Sequence, residues 1–365
     1  MVRVLLTGGG TGGHIYPALS MIKAIKEKDP DATFLYIGTP DGLEAKIVPA
    51  ASLKFKSVRV SGIRRSLSLE NFKTACRFLT AIGASKRLIK EFNPDIVIGT
   101  GGYVCGPVVY AATKLKYKTL IHEQNSLPGI TNKFLARYVD GIMVCFEEAK
   151  KYFPTEKVVL TGNPRASEVS TTLKLGKTAL GLNSRKKTVL ISGGSRGARP
   201  INDAFISMIK TYEEADFEVI FVTGEVHYES VMKQLVDVEK FKNVKIMPFI
   251  SDMPRYLVSI ELFVGRSGAT FLSEITALGV PSILIPSPYV AENHQEFNAR
   301  SVTDHGGGVL ILERDLTGEV LHDEIVRILN DDERLMLMKV ATKNLGIPDA
   351  STRILSVIDE LISGD

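Results

Sequence analysis

The sequence predicts an α/β protein made of two doubly wound domains that face an interdomain cleft. Apolar strands alternate with helices along the chain, beginning with VRVLL at residue 2. The same plan restarts near residue 187, where TVLISGGSRGA echoes VRVLLTGGGTGG, and glycine-rich turns follow strands in both halves. Such alternation is typical of a parallel sheet covered by helices on both faces, and the internal echo indicates two sheets of this kind.

The individual elements follow from the apolar runs. In the first half the predicted strands are VRVLL, TFLYIG, DIVIG, TLIHE and GIMVC, with a helix from Pro17 after the first of them. In the second half they are TVLIS, EVIFVTG and LFVG. The stretch 161–169 joins the halves, because Asn163-Pro164 interrupts the pattern there. The last segment predicts a helix capped by Asp349 or Ser351, with an apolar side that can pack on either domain.

Composition excludes several classes of protein. With 365 residues, 44% of them apolar and 24% charged, the chain suits two globular domains rather than a disordered or fibrous protein. Its three cysteines form no C-x-x-C pair, so we expect neither a disulfide framework nor a zinc site, and a reducing compartment. The first strand begins at Val2 and no run of 18 apolar residues occurs, so we expect a cytosolic protein without a membrane span.

Four glycine-rich turns follow predicted strands, at residues 8–13, 99–106, 193–197 and 265–268. Glycine lets a backbone approach a ligand closely, and the N–H groups of a following helix attract negative charge. Ligands of open parallel sheets collect at the carboxyl ends of the strands. Each turn is therefore a candidate phosphate cradle, with a tight turn that binds no ligand as the alternative.

The first turn, GGGTGGH, also satisfies the G-x-G-x-x-G fingerprint of dinucleotide enzymes. A nicotinamide site needs an acid at the end of the second strand, but that strand ends in Ile37-Gly38-Thr39, with Asp41 displaced. The sequence therefore disfavours a dehydrogenase. In the second half, Glu274 lies two turns into a helix predicted to start near Ser267, where it can meet ribose hydroxyls or be an ordinary exposed glutamate.

Residues 54–90 hold ten Lys or Arg against one acid, a net charge of +9 within a chain of net charge +4. Apolar residues are interleaved with these cations, a pattern that favours an anionic bilayer surface over nucleic acid or a solvated helix face. The predicted membrane patch consists of Ile63, Arg64, Arg65, Leu67, Leu69, Phe72, Lys73 and Arg77.

Nine motifs occur in unbroken order: GGGTGGH, GTGGYVCGP, HEQN, TGNP, GGSRGA, PFISDM, RSGATFLSEI, NHQEFNA and IPDA. Together they closely resemble the bacterial peptidoglycan N-acetylglucosaminyltransferases of glycosyltransferase family 28. The resemblance implies a GT-B fold, with two Rossmann-like domains at residues 1–164 plus 346–365 and 165–345. It also implies inverting transfer of N-acetylglucosamine from UDP-N-acetylglucosamine to undecaprenyl-diphosphoryl-N-acetylmuramoyl-pentapeptide, at the cytoplasmic face of the bacterial membrane.

The resemblance further implies a role for each matching residue. In the second half, Ser195 contacts the UDP phosphates and the Ile250 backbone contacts uracil. Glu274 binds the ribose hydroxyls and Gln295 binds the sugar hydroxyls. The residues that lie along the phosphates and sugar are Ala269, Thr270, Phe271, Leu272 and Ser273. In the first half, Thr11, Gly12, Gly13 and Asn125 border the transferred sugar, and Gly101, Gly102 and Tyr103 form an acceptor loop. His14 faces the acceptor, either as general base or as a clamp on the acceptor diphosphate.

Two departures limit this transfer of roles. Some members read G-N-P-V-R, whereas Arg165 here follows Pro164 directly, one position earlier than the family's phosphate contact. Some members have two glutamines where this chain has His294-Gln295, so only Gln295 is carried over.

Several alternatives stay open at the level of sequence. His122 in HEQN can be functional or structural, and Tyr103 can belong to the core. No cofactor is required; a divalent cation is possible, although no metal ligands are evident. Partners beyond the two substrates and the anionic membrane are other cell-wall synthesis proteins, and no nucleic acid is expected. The alternative functions are a UDP-sugar transferase acting on another glycoside or glycolipid, and a catalytically silent nucleotide-sugar-binding protein.

Overall fold

A computed structural model describes residues 1–60, 69–174, 176–194, 196–212, 215–235 and 241–364, with only the backbone described for residues 69–76. The chain divides into two compact units. Unit 1 comprises Met1–Ser167 and Asp349–Asp365, and unit 2 comprises Glu168–Pro348.

Unit 1 is built on a seven-stranded parallel sheet with the strand order β3-β2-β1-β4-β5-β6-β7. Its strands are β1 (Arg3–Thr7), β2 (Thr33–Gly38), β3 (Phe55–Ser57), β4 (Ile96–Gly99), β5 (Lys118–Glu123), β6 (Gly141–Val144) and β7 (Val158–Leu160). Val4 of the central strand pairs with Phe34 on one side and Ile96 on the other. Successive side chains of a strand point to opposite faces, so Val4 and Leu6 join one buried cluster and Leu5 joins the other.

Helices cover both faces of this sheet. They are α1 (Gly12–Lys28), α2 (Glu44–Ala50), α3 (Leu69–Phe92), α4 (Cys105–Lys114) and α5 (Ile130–Leu135). The next helix, α6 (Pro164–Ser170), begins in unit 1 and ends in unit 2. The prediction that the first helix begins at Pro17 is wrong, because α1 begins at Gly12 and contains Pro17. Pro17 has no N–H to donate to the Gly13 carbonyl and its ring crowds that carbonyl, yet the helix continues through it. His14 therefore lies in the first turn of α1.

Unit 2 repeats the plan with a six-stranded parallel sheet of order β10-β9-β8-β11-β12-β13. Its strands are β8 (Lys187–Ser192), β9 (Phe217–Val222), β10 (Val244–Met247), β11 (Leu262–Gly265), β12 (Ser282–Leu284) and β13 (Gly308–Leu310). Its helices are α7 (Arg199–Ser207), α8 (Glu225–Gln234), α9 (Met253–Leu257), α10 (Ala269–Leu278), α11 (His294–Thr303), α12 (Gly318–Leu329) and α13 (Asp332–Leu345). Among the described residues, short 3-10 helices span Glu147–Tyr152, Lys177–Leu180, Ile209–Tyr212, Ala291–Asn293 and Glu313–Asp315.

The last helix, α14 (Ala350–Ser363), returns to unit 1. Its buried residues Ile354 and Ile358 join the cluster that contains Ile15 and Met21 of α1. Asp349 is its N-cap residue. The apolar pattern alone left the packing partner of this helix open, whereas the resemblance assigned residues 346–365 to the first domain. In the structure the helix packs on α1.

The repeated strand order places all four glycine turns at equivalent positions. In both sheets the chain leaves a central strand, winds outward on one side and then returns to the other side of that strand. The turns at 8–13 and 99–106 follow β1 and β4, and those at 193–197 and 265–268 follow β8 and β11, which flank the two switch points. The predicted doubly wound α/β class is thus confirmed, and each unit gathers its glycine turns at the edge where such folds bind ligands.

Candidate functional site

The first glycine turn, residues 8–13, interlocks with the turn after β4. The N–H of Gly9 donates to the carbonyl oxygen of Gly101 at 3.2 Å, and the Tyr36 hydroxyl donates to the carbonyl oxygen of Gly8 at 3.0 Å. A Cβ on Gly102, whose φ is +86°, would collide with the backbone of Gly9. Glycine is needed at that position both for its φ and for the close approach of the two loops.

His14 lies over this pair of loops and is half-buried. Its Nδ1 atom is 2.9 Å from the carbonyl oxygen of Gly9, and its ring packs so close to Gly101 that a Cβ there would be 2.7 Å from Cδ2. A carbonyl oxygen only accepts hydrogen bonds, so Nδ1 carries the hydrogen and the lone pair of the neutral ring is on Nε2. This is the tautomer that a general base acting through Nε2 requires.

The other predicted residues of these two turns are at least partly accessible, except for the buried Gly101. Thr11 is the exposed N-cap residue of α1, and Gly12 and Gly13 begin that helix. Tyr103 is 61% exposed, so the alternative that it packs in the core is wrong. The N–H of Gly101 donates to Sγ of Cys105 at 3.1 Å, so what this loop offers to a ligand is the exposed aromatic side chain of Tyr103.

Asn125 follows β5 and is half-buried. Its backbone N–H and its side-chain Nδ2 both donate to Oε1 of Glu123, at 3.0 and 3.2 Å. The other carboxylate oxygen of Glu123 accepts from the N–H of Gly129 at 3.1 Å and from Nδ2 of Asn132 at 2.9 Å. Glu123 is buried and fixes the orientation of the Asn125 amide, a role that sequence reasoning did not assign.

His122 is a buried structural histidine. Its Nε2 donates to the carbonyl oxygen of Gly162 at 3.0 Å, and its Nδ1 accepts from the side-chain amide of Gln124 at 2.9 Å. The ring therefore ties β5 to the loop after β7, and its complete burial lowers the pKa of His122 to about 4. Of the two roles left open by the sequence, the contacts favour the structural one.

This burial predicts a pH-dependent stability. The unfolded chain protonates His122 near pH 6.5 and the folded chain only near pH 4, so stability is complete above pH 6.5 and falls as the pH drops toward 4. The loss from this group approaches about 3 kcal/mol. In urea titrations, the free energies of unfolding of wild type and H122Q should differ by about 2 kcal/mol less at pH 5 than at pH 7.5. A difference independent of pH would contradict a buried neutral imidazole.

In unit 2 the predicted donor residues of α10 are mostly buried. Ala269 is 7% exposed, Leu272 fully buried and Ser273 9% exposed, with the Ser273 hydroxyl donating back to the carbonyl of Ala269 at 2.9 Å. The Phe271 ring packs on Phe263 with centroids 4.4 Å apart, so a ligand at Phe271 or Leu272 would meet their main chains. The first turn of α10, including the half-buried Thr270, still presents the N–H groups that suit a phosphate.

Glu274, one turn further along α10, is only 5% exposed. The alternative that it is an ordinary exposed helix glutamate is therefore wrong. Buried carboxylates are held where hydrogen-bond donors or a functional requirement compensate their desolvation, so this burial favours a defined role for the side chain.

Gln295 is tied to the glycine turn that precedes α10. The Ser267 hydroxyl donates to the main-chain oxygen of Gln295 at 2.7 Å, and Oε1 of Gln295 accepts from the N–H of Ser287 at 2.9 Å. Nδ2 of Asn298 donates to the carbonyl of Ser267 at 3.3 Å. These contacts hold the turn at 265–268 against the start of α11, so two motifs that are distant in sequence form one loop cluster.

The remaining predictions have a mixed outcome. Ile250 is 3% exposed and lies in the loop after β10, where only its backbone suits ligand contact. Arg165 is half-buried and its N–H donates to Oδ1 of Asn163 at 3.1 Å. Ser195 lies outside the described residues. Most of the predicted membrane patch also lies outside the described residues, namely Ile63, Arg64, Arg65 and Leu67. Only the backbone is described for Leu69, Phe72 and Lys73. Arg77 is exposed on α3.

Glu44 is the buried residue that sequence reasoning missed. From the sequence we considered only one acid near the end of β2, the displaced Asp41, yet Glu44, at the start of α2, places its carboxylate against the first glycine turn. Oε2 accepts from the N–H of Gly10 at 3.0 Å, and Oε1 accepts from the N–H and hydroxyl of Thr39 at 2.9 and 2.6 Å. Because these bonds occupy the carboxylate, it does not supply the ribose contact of a dehydrogenase, and the rejection of that function still holds.

The described residues contain neither a metal-ligand cluster nor a membrane-spanning helix. Over those residues, no group of three or more His, Cys, Asp or Glu side chains is arranged to hold a metal ion. None of the helices seen in the described parts of the chain is long and apolar enough to cross a membrane.

Comparison with known proteins gives a consistent result. Residues 4–144 match the glycosyltransferase family 28 N-terminal domain, and residues 188–354 match the glycosyltransferase family 28 C-terminal domain. The chain is 57% identical over 362 residues, 99% of this chain and 100% of the relative, to a Bacillus cereus UDP-N-acetylglucosamine–N-acetylmuramyl-(pentapeptide) pyrophosphoryl-undecaprenol N-acetylglucosamine transferase. A Bacillus pumilus protein of the same name is 55% identical, with 99% of each chain covered.

Solved structures show the same architecture. The crystal structure of Acinetobacter baumannii MurG matches with a TM-score of 0.80 and 25% identity, covering 99% of this chain and 100% of that one. A UDP-GlcNAc 2-epimerase from Neisseria meningitidis matches with a TM-score of 0.69 at 16% identity, covering 99% of this chain and 100% of that one. At this level of identity, the match shows a shared fold alone.

Proposed function

The chain belongs to glycosyltransferase family 28, and from that membership we infer that it transfers N-acetylglucosamine from UDP-N-acetylglucosamine to undecaprenyl-diphosphoryl-N-acetylmuramoyl-pentapeptide. The observation that carries this inference is the 57% identity over nearly the whole chain to a transferase named for that reaction. The reaction makes the lipid-linked disaccharide of peptidoglycan synthesis, with inversion at the transferred carbon.

We propose that unit 2 binds the donor. The N–H groups at the start of α10 and the turn at 193–197, with Ser195, suit the two phosphates of UDP, because both follow strands at a switch point. The buried Glu274 is assigned to the ribose hydroxyls, the backbone at Ile250 to uracil and Gln295 to the sugar hydroxyls. The burial of Glu274 and the contacts that order Gln295 support these roles.

We assign acceptor binding and proton removal to unit 1. Thr11, Gly12, Gly13 and Asn125 border the transferred sugar, and the loop 101–103 contributes to the acceptor site. His14 is the general base, because the bond from Nδ1 to the carbonyl of Gly9 places its lone pair on Nε2. The proton leaves the acceptor hydroxyl as the bond from the sugar to UDP breaks, and UDP carries the negative charge away.

Release of UDP is the test of this function. The protein should release UDP from UDP-N-acetylglucosamine only when the lipid-linked muramyl-pentapeptide is added. Release with a different glycoside or glycolipid but not with this lipid would favour another UDP-sugar transferase. Tight UDP-N-acetylglucosamine binding without release under any condition would indicate a silent binding protein.

We further propose that the basic segment 54–90 of unit 1 contacts the anionic inner surface of the membrane, where the lipid acceptor resides. Its net charge of +9 and interleaved apolar residues support this, since each Lys or Arg near an anionic leaflet contributes about 1 kcal/mol of attraction. Within this segment, Arg77 is exposed on α3.

The double variant R64E/R65E should bind phosphatidylglycerol vesicles more weakly than wild type, with the larger difference at low salt, because charge attraction is screened as salt rises. Sedimentation of protein with vesicles measures this. K23E, a charge reversal on α1 outside the segment, is the matched control. Equal sedimentation of wild type and R64E/R65E, with the same salt dependence, would show that the segment is a solvated surface that does not bind the membrane.

A further inference from the structure

Glu44 and His14 are joined through a single peptide group. The carbonyl oxygen of Gly9 accepts from Nδ1 of His14 at 2.9 Å, and the N–H of Gly10 donates to Oε2 of Glu44 at 3.0 Å. Gly9 supplies the C=O of this peptide group and Gly10 supplies the N–H. One planar amide therefore carries a carboxylate on one end and an imidazole on the other.

The loop is built to admit this carboxylate. A Cβ on Gly9 or on Gly42 would collide with the carboxylate of Glu44, so these two glycines leave the space that it occupies. Thr39 donates two further hydrogen bonds to the other carboxylate oxygen. Glu44 is completely buried, and burial of a carboxylate without hydrogen-bond donors would cost a large desolvation free energy.

The carboxyl is ionised at neutral pH. Burial alone would raise the pKa of Glu44, but the hydrogen bonds from Thr39 and Gly10 outweigh burial and hold the pKa below its usual value. The negative charge at the N–H end of the amide polarises it and makes the Gly9 oxygen a stronger acceptor for His14.

Two other titratable groups face this loop from neighbouring elements, Tyr36 on β2 and Cys105 on α4. Burial raises the pKa of Tyr36 well above its usual value and the pKa of Cys105 to about 12. Both are therefore neutral where the enzyme works, and neither supplies a charge that competes with that of Glu44.

We propose that Glu44 is a positioning residue that acts on His14 through the Gly9–Gly10 peptide group, fixing the imidazole in its Nδ1–H tautomer and strengthening Nε2 as a base. The arrangement does the work of a carboxylate–histidine pair, with a backbone amide inserted between the two groups. This inference rests on the proposed role of His14 as general base, but the coupling between the two side chains is measurable without catalysis.

The direct test is an NMR titration of the His14 ring in protein labelled at histidine, with the resonance assigned from H14Q. Removing the negative charge in E44Q makes protonated His14 less favourable, so its titration midpoint should move to lower pH by roughly 0.5 to 1 pH unit. In steady-state kinetics, the acidic limb of the kcat/KM profile should move the same way, with kcat about tenfold lower and both KM values within about threefold.

Y36F is the matched control for a merely structural role. It removes the hydrogen bond to the carbonyl of Gly8 in the same turn but leaves the charge of Glu44 in place. In Y36F the titration midpoint of His14 should equal that of wild type, even if the thermal stability of the variant falls. E44D keeps the charge on a shorter side chain, so the titration midpoint of His14 in E44D should lie closer to the wild-type value than it does in E44Q.

The outcomes separate the two claims. An unchanged midpoint in E44Q, or an equal shift in Y36F, would overturn the coupling whatever the activity of the enzyme. If the midpoint shifts as expected while wild-type protein releases no UDP with the lipid acceptor, the coupling stands and the proposed function fails.

Discussion

Replacement of His14 by alanine is expected to lower kcat by about 10²- to 10⁴-fold and to leave the KM for the lipid acceptor nearly unchanged. The imidazole is half-buried at the first turn of α1, with Nδ1 committed to the carbonyl of Gly9. Its Nε2 atom is thus the basic one, and a positioned base is needed because the acceptor hydroxyl must lose a proton as UDP leaves.

A clamp on the acceptor diphosphate predicts a different result. A protonated His14 beside the N–H groups of the glycine turn would bind phosphate, so its loss would mainly raise the acceptor KM. Steady-state kinetics of H14A with a soluble lipid analogue separates the two roles. H305A, which replaces an exposed histidine of unit 2, is the control for loss of an imidazole elsewhere. Wild-type values of both parameters in H14A would remove His14 from the mechanism.

The second large effect concerns the donor. E274Q should weaken UDP binding by about 10- to 150-fold, because hydrogen bonds to a charged group contribute roughly 1.5 to 3 kcal/mol and glutamine keeps the size of the side chain but not its charge. Glu274 is 5% exposed on α10, so little solvent is available to replace the lost interaction.

Calorimetric titration with UDP measures this affinity directly. E319Q, which neutralises an exposed glutamate in the first turn of α12, is the matched control and should bind UDP as wild type does. Thermal unfolding of E274Q checks that the buried change leaves unit 2 folded. Unchanged UDP binding in folded E274Q would show that the proposed donor site is wrong.

The architecture was predictable because it depends on local patterns that the chain repeats. Each buried strand is a short apolar run bounded by turn residues, and the glycine turns mark where strand gives way to helix. The echo of TVLISGGSRGA and VRVLLTGGGTGG corresponds to β8 and β1, which occupy the same central place in the two sheets. The sequence thus predicted the four turns at the carboxyl ends of strands, and the strand order that places them at two switch points comes from the structure.

The supporting residues of the site were not predictable in the same way. Glu44 contacts Gly10 from 34 positions away in the sequence, and nothing in GLEAKIV distinguishes a buried loop anchor from an exposed helix acid. The feature of the sequence that could have indicated the buried carboxylate is the pair Gly9 and Gly42, which leave room for it because they have no side chains. Similarly, the burial of Glu123 follows from Asn132 and the Gly129 N–H, which only the folded loop brings together.

The start of α1 shows a different limit. A proline is common at the beginning of a helix, because its ring clashes with a preceding helical turn, and on that rule we predicted a helix from Pro17. The structure instead begins the helix at Gly12. His14 therefore lies in the first turn of α1, where its Nδ1 is held by the carbonyl oxygen of Gly9.

The most direct test of the central claim is transfer of labelled sugar. Incubation of the protein with UDP-N-acetylglucosamine labelled in the sugar, together with undecaprenyl-diphosphoryl-N-acetylmuramoyl-pentapeptide in detergent, should move the label into the lipid. We expect one N-acetylglucosamine per acceptor, with inverted configuration at its anomeric carbon and one UDP released per transfer. Label that stays in the nucleotide sugar, or that appears as free N-acetylglucosamine with the lipid unchanged, would contradict the assignment.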